Sequence, residues 1–123
     1  MAAGVALAAC GGPAADLFGV QRSGTIAGAN LRFVPSGDGS VRCGNRTREL
    51  PDPLLLTAEN LADEIVAPAT KGVRLPSGPN PIYTYVVVTP SGTFSFSDDS
   101  PHLPSAMRAL AAWTRTVEKQ VCR

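Results

Sequence analysis

Along this chain, stretches in which apolar and polar residues alternate give way twice to stretches with helical spacing. Asp16–Gly24 (DLFGVQRSG) brings Leu17, Phe18 and Val20 together before Ser23-Gly24, which ends a first strand. ANLRFVP sets Leu31 and Phe33 on one face and Asn30 and Arg32 on the other, the period of a half-buried strand. The turn formers Ser36 to Ser40 (SGDGS) predict a hairpin loop. The returning stretch VRCGNRTREL reads as one strand, with Val41 and Cys43 inward and Arg42, Arg46 and Arg48 outward. Ile82–Thr89 is β-branched and aromatic, Pro90-Ser91-Gly92 supplies a turn, and Thr93–Ser97 places Phe94 and Phe96 on one face.

Two segments read as helices. Thr57 is a suitable N-cap, with Glu59 in the first turn, and Ala58, Leu61, Ala62, Ile65 and Val66 form an apolar stripe that Pro68 and Gly72 end. Leu103, Met107, Leu110, Val117 and Val121 recur at helical spacing near the other end, opened by Ser100-Pro101 or Pro104. This second helix should bury Leu110, Trp113 and Val117 against the sheet. The order β-β-β-α-β-β-α predicts an α+β domain over 17–123, with a small antiparallel sheet of about 4–5 strands and two helices on one face.

Length and composition narrow the classes. The chain has 123 residues, 44% hydrophobic and 17% charged, which suits one small globular domain and not a disordered chain. A net charge of +1 gives no reason to expect a nucleic-acid partner. Nine arginines against Lys71 and Lys119, among abundant Ala, Gly and Pro, is the bias of a GC-rich coding sequence. Cysteines stand at 10, 43 and 122. A Cys43–Cys122 bridge would close a loop of about 80 residues and stabilise by about 4–5 kcal/mol, given an oxidising compartment. The alternative is two separately buried thiols.

Catalytic chemistry finds little support in these residues. His102, the only histidine, reads as an exposed residue before a helix, although Ser97, Asp98 and Ser100 are near in sequence. The cysteines fit a bridge better than a nucleophile, and the domain lacks the ligands of a zinc site. No phosphate-binding glycine motif is present. Asp98-Asp99 reads as a strand-ending turn or a weak cation site. Arg32, Arg42, Arg46 and Arg48 read as a solvated outer face that also guards against edge pairing. The expectation is therefore no enzyme, no catalytic residue, no metal and no cofactor.

Leu7-Ala8-Ala9-Cys10, followed by Gly11-Gly12, resembles the lipobox of bacterial lipoproteins. The resemblance implies diacylation of Cys10, which holds a protein on a membrane where one acyl chain would not. Residues 10–16 would then be the lipidated cysteine and a flexible tether. Met1 to Ala9 contains neither Lys nor Arg and is shorter than a full export signal, so 1–9 reads as a truncated signal peptide.

Arg22-Ser23-Gly24 with Ala27-Gly28, then Tyr83, Tyr85 and Val87, Gly92, and Pro104 with Leu110 together resemble the emfourin-like proteins, named for a protealysin inhibitor and represented in actinobacteria. Two departures are Thr25, where a second glycine is expected, and the paired cysteines. The resemblance implies inhibition of secreted thermolysin-like metalloproteases. It transfers no inhibitory residue, and the contact surface is expected in two loops: Arg22, Ser23 and Gly24, and Ser77, Gly78, Pro79, Asn80 and Pro81. The expectation is a monomeric, lipid-anchored, extracytoplasmic binding domain with a protease partner. Its alternative is a non-inhibitory structural or ligand-presenting module of the cell envelope.

Overall fold

The computed structural model describes residues 15–123. The truncated signal at 1–9, Cys10 and most of its tether lie outside the described residues. The chain runs through β1 (Gly19–Gly24), β2 (Leu31–Pro35), β3 (Ser40–Cys43), β4 (Arg46–Glu49), α1 (Asp52–Glu64), α2 (Val66–Lys71), β5 (Tyr83–Thr89), β6 (Gly92–Ser97) and α3 (Ser105–Gln120). The six strands form one sheet in the order β4-β3-β2-β1-β5-β6, antiparallel at every pairing. The fold is α+β, as the alternating patterns predict, with six strands instead of four or five and three helices instead of two.

The extra strand comes from Gly44. With φ of +66° it occupies the first central position of a two-residue turn, and Asn45 follows at negative φ, the pattern of a type II′ hairpin. The stretch read as one strand is therefore two. Cys43 pairs with Arg46 and Val41 with Arg48. Residues opposite each other share a face, so Arg46 and Arg48 belong to the helix side of the sheet, not to the outer face with Arg32 and Arg42. Both remain exposed, because β4 is the sheet's edge and its charged residues oppose further pairing.

The helix boundaries shift for reasons of proline chemistry. α1 begins at Asp52 rather than beside Thr57, because Pro53 falls in the first turn, where a missing N–H costs no hydrogen bond. Thr57 is inside the helix and its hydroxyl donates to the Pro53 carbonyl at 3.0 Å. Pro68 likewise sits in the first turn of α2 and does not end the helix; Gly72 does, in the left-handed conformation at φ 63°. Pro104 precedes α3 as expected.

Side chains from the sheet's inner face and from all three helices merge into one core. Phe18, Val20, Phe33, Val41, Val87, Phe94 and Phe96 meet Ala58, Leu61, Ile65, Met107, Leu110, Trp113 and Val117. Phe18 and Trp113 pack edge to face, 5.5 Å between ring centres, and the Trp113 indole N–H donates to the Leu54 carbonyl at 3.0 Å. That bond ties α3 to the first turn of α1. Val73–Leu75 runs beside β6, where Leu75 N donates to Ser95 O and Ser95 N to Val73 O, each at 3.0 Å. Among the described residues, the opposite face of the sheet carries no helix.

Cys43 and Cys122 are joined in a disulfide with Cα atoms 5.8 Å apart and a sequence separation of 79. The bridge fastens the end of α3 to β3 and is compatible with an extracytoplasmic location. Replacing both cysteines by serine should lower stability by about 4–5 kcal/mol on the loop-entropy account. Urea unfolding of the two forms checks this. A loss below about 1 kcal/mol would show that the unbridged ensemble is already as restricted as the bridged one.

Candidate functional site: two loops joined at one end of the sheet

Loop 25–30 leaves β1 and loop 76–82 enters β5. Because Gly24 is opposite Tyr83 in the antiparallel pair, the two loops must emerge side by side. Thr25 N donates to the Ile82 carbonyl at 3.2 Å, so the backbone ladder continues into the loops. Gly24 has to be glycine here: a Cβ would overlap the Ile82 carbonyl oxygen and the Ala29 side chain. The structure thus brings together the two segments that the sequence singled out separately.

Arg22 holds the first loop from inside. It was expected at the exposed surface, but alternation along β1 puts it on the same face as Val20, and it is 2% exposed. Its Nε donates to Ala29 O at 2.9 Å and its Nη2 to Gly28 O at 3.3 Å. Nη2 also pairs with Glu118 Oε2 on α3 at 2.9 Å. The guanidinium lies 4.1 Å from the centre of the Tyr83 ring, a cation–π contact. Two carbonyls, a carboxylate and an aromatic face surround the buried charge, which makes its burial tolerable. Arg22 therefore shapes the loop and is unavailable to a partner; Ser23 and Gly24 stay exposed.

The second loop is held by residues just past β6. Asp99 accepts from Gly78 N at 2.9 Å through Oδ1 and from Asn80 N at 2.8 Å through Oδ2. Asp98 Oδ1 accepts from Ile82 N at 3.1 Å, and the hydroxyls of Ser77 and Ser97 hydrogen-bond to each other. A Cβ at Gly78 would overlap the Asp99 carbonyl, so this residue must also be glycine. Pro76, Pro79 and Pro81 fix φ at three more positions. The Asp98-Asp99 pair, read from sequence as a plain turn or cation site, is the brace of this loop. Its signal was present: the Pro90-Ser91 turn sets Thr84 opposite Ser97, which puts the two aspartates beside the residues that precede β5.

What this end of the molecule offers is a stiff, mostly uncharged surface. Ile26 and Ile82 project from the joined loops at 50% and 45% exposure, with Pro79 and Asn80 exposed beside them. Tyr85 underlies the loops and is stacked on Phe96, 4.8 Å between ring centres. Burial raises the pKa of its phenol above the ordinary tyrosine range, with the nearby Arg22 charge acting in the opposite sense. His102 is exposed in the turn before α3, in the left-handed region at φ 55°.

Removing the Asp99 carboxylate by Asp99→Ala should cost about 1–3 kcal/mol and speed hydrogen exchange at Gly78 and Asn80, with the helix amides unchanged. Unaltered exchange at those two amides would show that the prolines alone set the loop. The Tyr85 shift also has a sign. Its folded-state pKa is raised, so its contribution is fully present below the unfolded value and is lost as pH rises through the folded one. Alkaline titration followed by tyrosinate absorbance should show a step above the ordinary range, and unfolding midpoints should fall over the same interval.

Compared with protein-family models, with curated proteins and with solved structures, this chain shows no match.

Proposed function

We propose that this protein is an extracytoplasmic binding domain that presents the joined loops to a protein partner, a secreted thermolysin-like metalloprotease, and inhibits it. The observation that carries the reading is the double restraint on the loops: backbone joined to backbone at Thr25 and Ile82, with Arg22 bracing one side and Asp98-Asp99 the other. A loop already held in one shape loses little conformational freedom on binding, and a restrained backbone resists adjustment into a cleavable geometry. Ile26 and Ile82 supply the apolar anchors such an interface requires. The likeness of Arg22-Ser23-Gly24, Tyr83-x-Tyr85-x-Val87 and Pro104 to emfourin-like proteins names the class of protease.

Lipidation of Cys10 would anchor the domain to the membrane. The described chain joins the sheet at Asp16, at the opposite end of β1 from the loops, so the loops point away from the tether. Another reading, a non-inhibitory module of the cell envelope, is favoured by the open outer face of the sheet, which gives the domain a second surface for contact.

Titrated into a thermolysin-like protease, the full chain should inhibit to completion near one equivalent and be recovered uncleaved by intact mass. Changing Ile26→Asp together with Ile82→Asp should weaken inhibition by roughly 30-fold or more, the weight of an apolar anchor. No inhibition at large excess would remove the inhibitor reading and leave the envelope module. Intact mass of the chain from native membranes tests the anchor separately, through an acylated species that begins at Cys10.

A further inference from the structure

We propose that the open face of the sheet is a membrane-contact surface that lies against an anionic lipid bilayer. Its apolar centre is Val86 and Val88 on β5, 37% and 54% exposed, and they line a shallow groove of about 340 Å³ together with Arg32 and Arg42. Val86 also borders a second depression, which Arg74 lines from the β6 side. Three arginines thus surround two exposed valines on a face that no helix covers among the described residues. Arg32 and Arg74 have no ion-pair partner among the described residues. Arg42 is bound to Asp16 through both carboxylate oxygens, at 3.2 and 3.1 Å. Two further acids lie toward the β3-β4 side, away from the valines: Glu49 on the far edge strand and Asp38, which borders a separate depression with Asp16 and Arg42. Apolar side chains framed by arginine suit the boundary between acyl chains and anionic headgroups.

The tether selects a bilayer over other partners. Five peptide units separate Cys10 from Ala15, so the cysteine lies at most ~18 Å from that residue whatever path the chain takes. The next residue, Asp16, lines the groove and is clasped by Arg42 on this same face. A lipid on Cys10 would hold the face within reach of headgroups at the millimolar effective concentrations typical of short linkers, where weak contacts are populated. With this face against the membrane, the helices point outward and the paired loops extend sideways, about 25 Å from the tether along β1.

This inference rests on Cys10 as the anchor, and the test separates the two. Because Cys43 and Cys122 are bonded, Cys10 is the single free thiol, and the full chain can be coupled through it to a maleimide lipid in nanodiscs. The discs contain phosphatidylcholine and phosphatidylglycerol with a trace of nitroxide-headgroup lipid, and the readout is broadening of backbone amide signals. Broadening at Gln21, Arg32, Val86 and Val88 ahead of Ala58, Leu61 and Leu110 is the expected result. The Arg32→Gln plus Arg74→Gln variant should reduce the face-down population by roughly fivefold per arginine, with core chemical shifts unchanged. Equal broadening on both faces, broadening led by the helices, or insensitivity to phosphatidylglycerol would overturn the proposal. The coupled chain is tethered whatever the cell does to Cys10, so these failures count against the face alone, and an unacylated native chain counts against the anchor alone.

Discussion

A charged guanidinium sits inside a domain of modest size, and much of the fold is arranged so that it can. Arg22 is on the core side of the central strand, where an unpaired cation would cost several kcal/mol. It is satisfied only if loop 25–30 curls back to offer the carbonyls of Gly28 and Ala29, α3 brings Glu118 alongside, and Tyr83 lies across it. The loop follows β1 directly, but Tyr83 on β5 and Glu118 on α3 are distant in sequence, so the interaction forms only when β1, β5, α3 and the loop are all in place. The same α3 is fixed at its far end by Cys122 and near its middle by Trp113. Loop geometry, helix position and sheet order are in this way made conditional on one another.

Much of the architecture could be read from residue patterns, and the failures have physical causes. Alternation in Ile82–Ser97 set the strongest hairpin, with Phe94 and Phe96 inward as expected. The bridge between Cys43 and Cys122 followed from an odd cysteine count and the inward parity of Cys43. The turn at Gly44 leaves no mark in the pattern, because Asn45 to Glu49 after it are all polar and parity cannot register the reversal. The start of α1 lies at Asp52 and not beside Thr57 because Pro53 occupies the first turn, a place that the apolar stripe from Ala58 onward does not mark. Arg22 belongs to the segment expected to form a contact loop, yet its spacing from Val20 along β1 places it inward.

The candidate site shows the same division. Loop 76–82 is identifiable from composition, since Pro, Gly, Ser and Asn dominate it, whereas loop 25–30 is marked only by the Ser23-Gly24 strand end and by the resemblance to emfourin-like proteins. The meeting of the two loops is not identifiable, because it depends on β5 pairing with β1 across a crossover through two helices. Once that pairing is known, the contact between Thr25 and Ile82 follows from register. The domain then has two exposed surfaces of different character. One is a rigid, apolar-tipped end; the other is a broad face with basic residues around two valines.

The braces of loop 76–82 act on backbone amides: Asp98 and Asp99 accept from the N–H groups of Gly78, Asn80 and Ile82, not from their side chains. The shape of the loop is therefore largely separated from the identity of the side chains at Asn80 and Ile82. Those positions, with Ile26 across the join, can be exchanged without dismantling the support beneath them. A lineage or a protein engineer can thus re-letter the surface, exploring new specificities on a frame that stays the same.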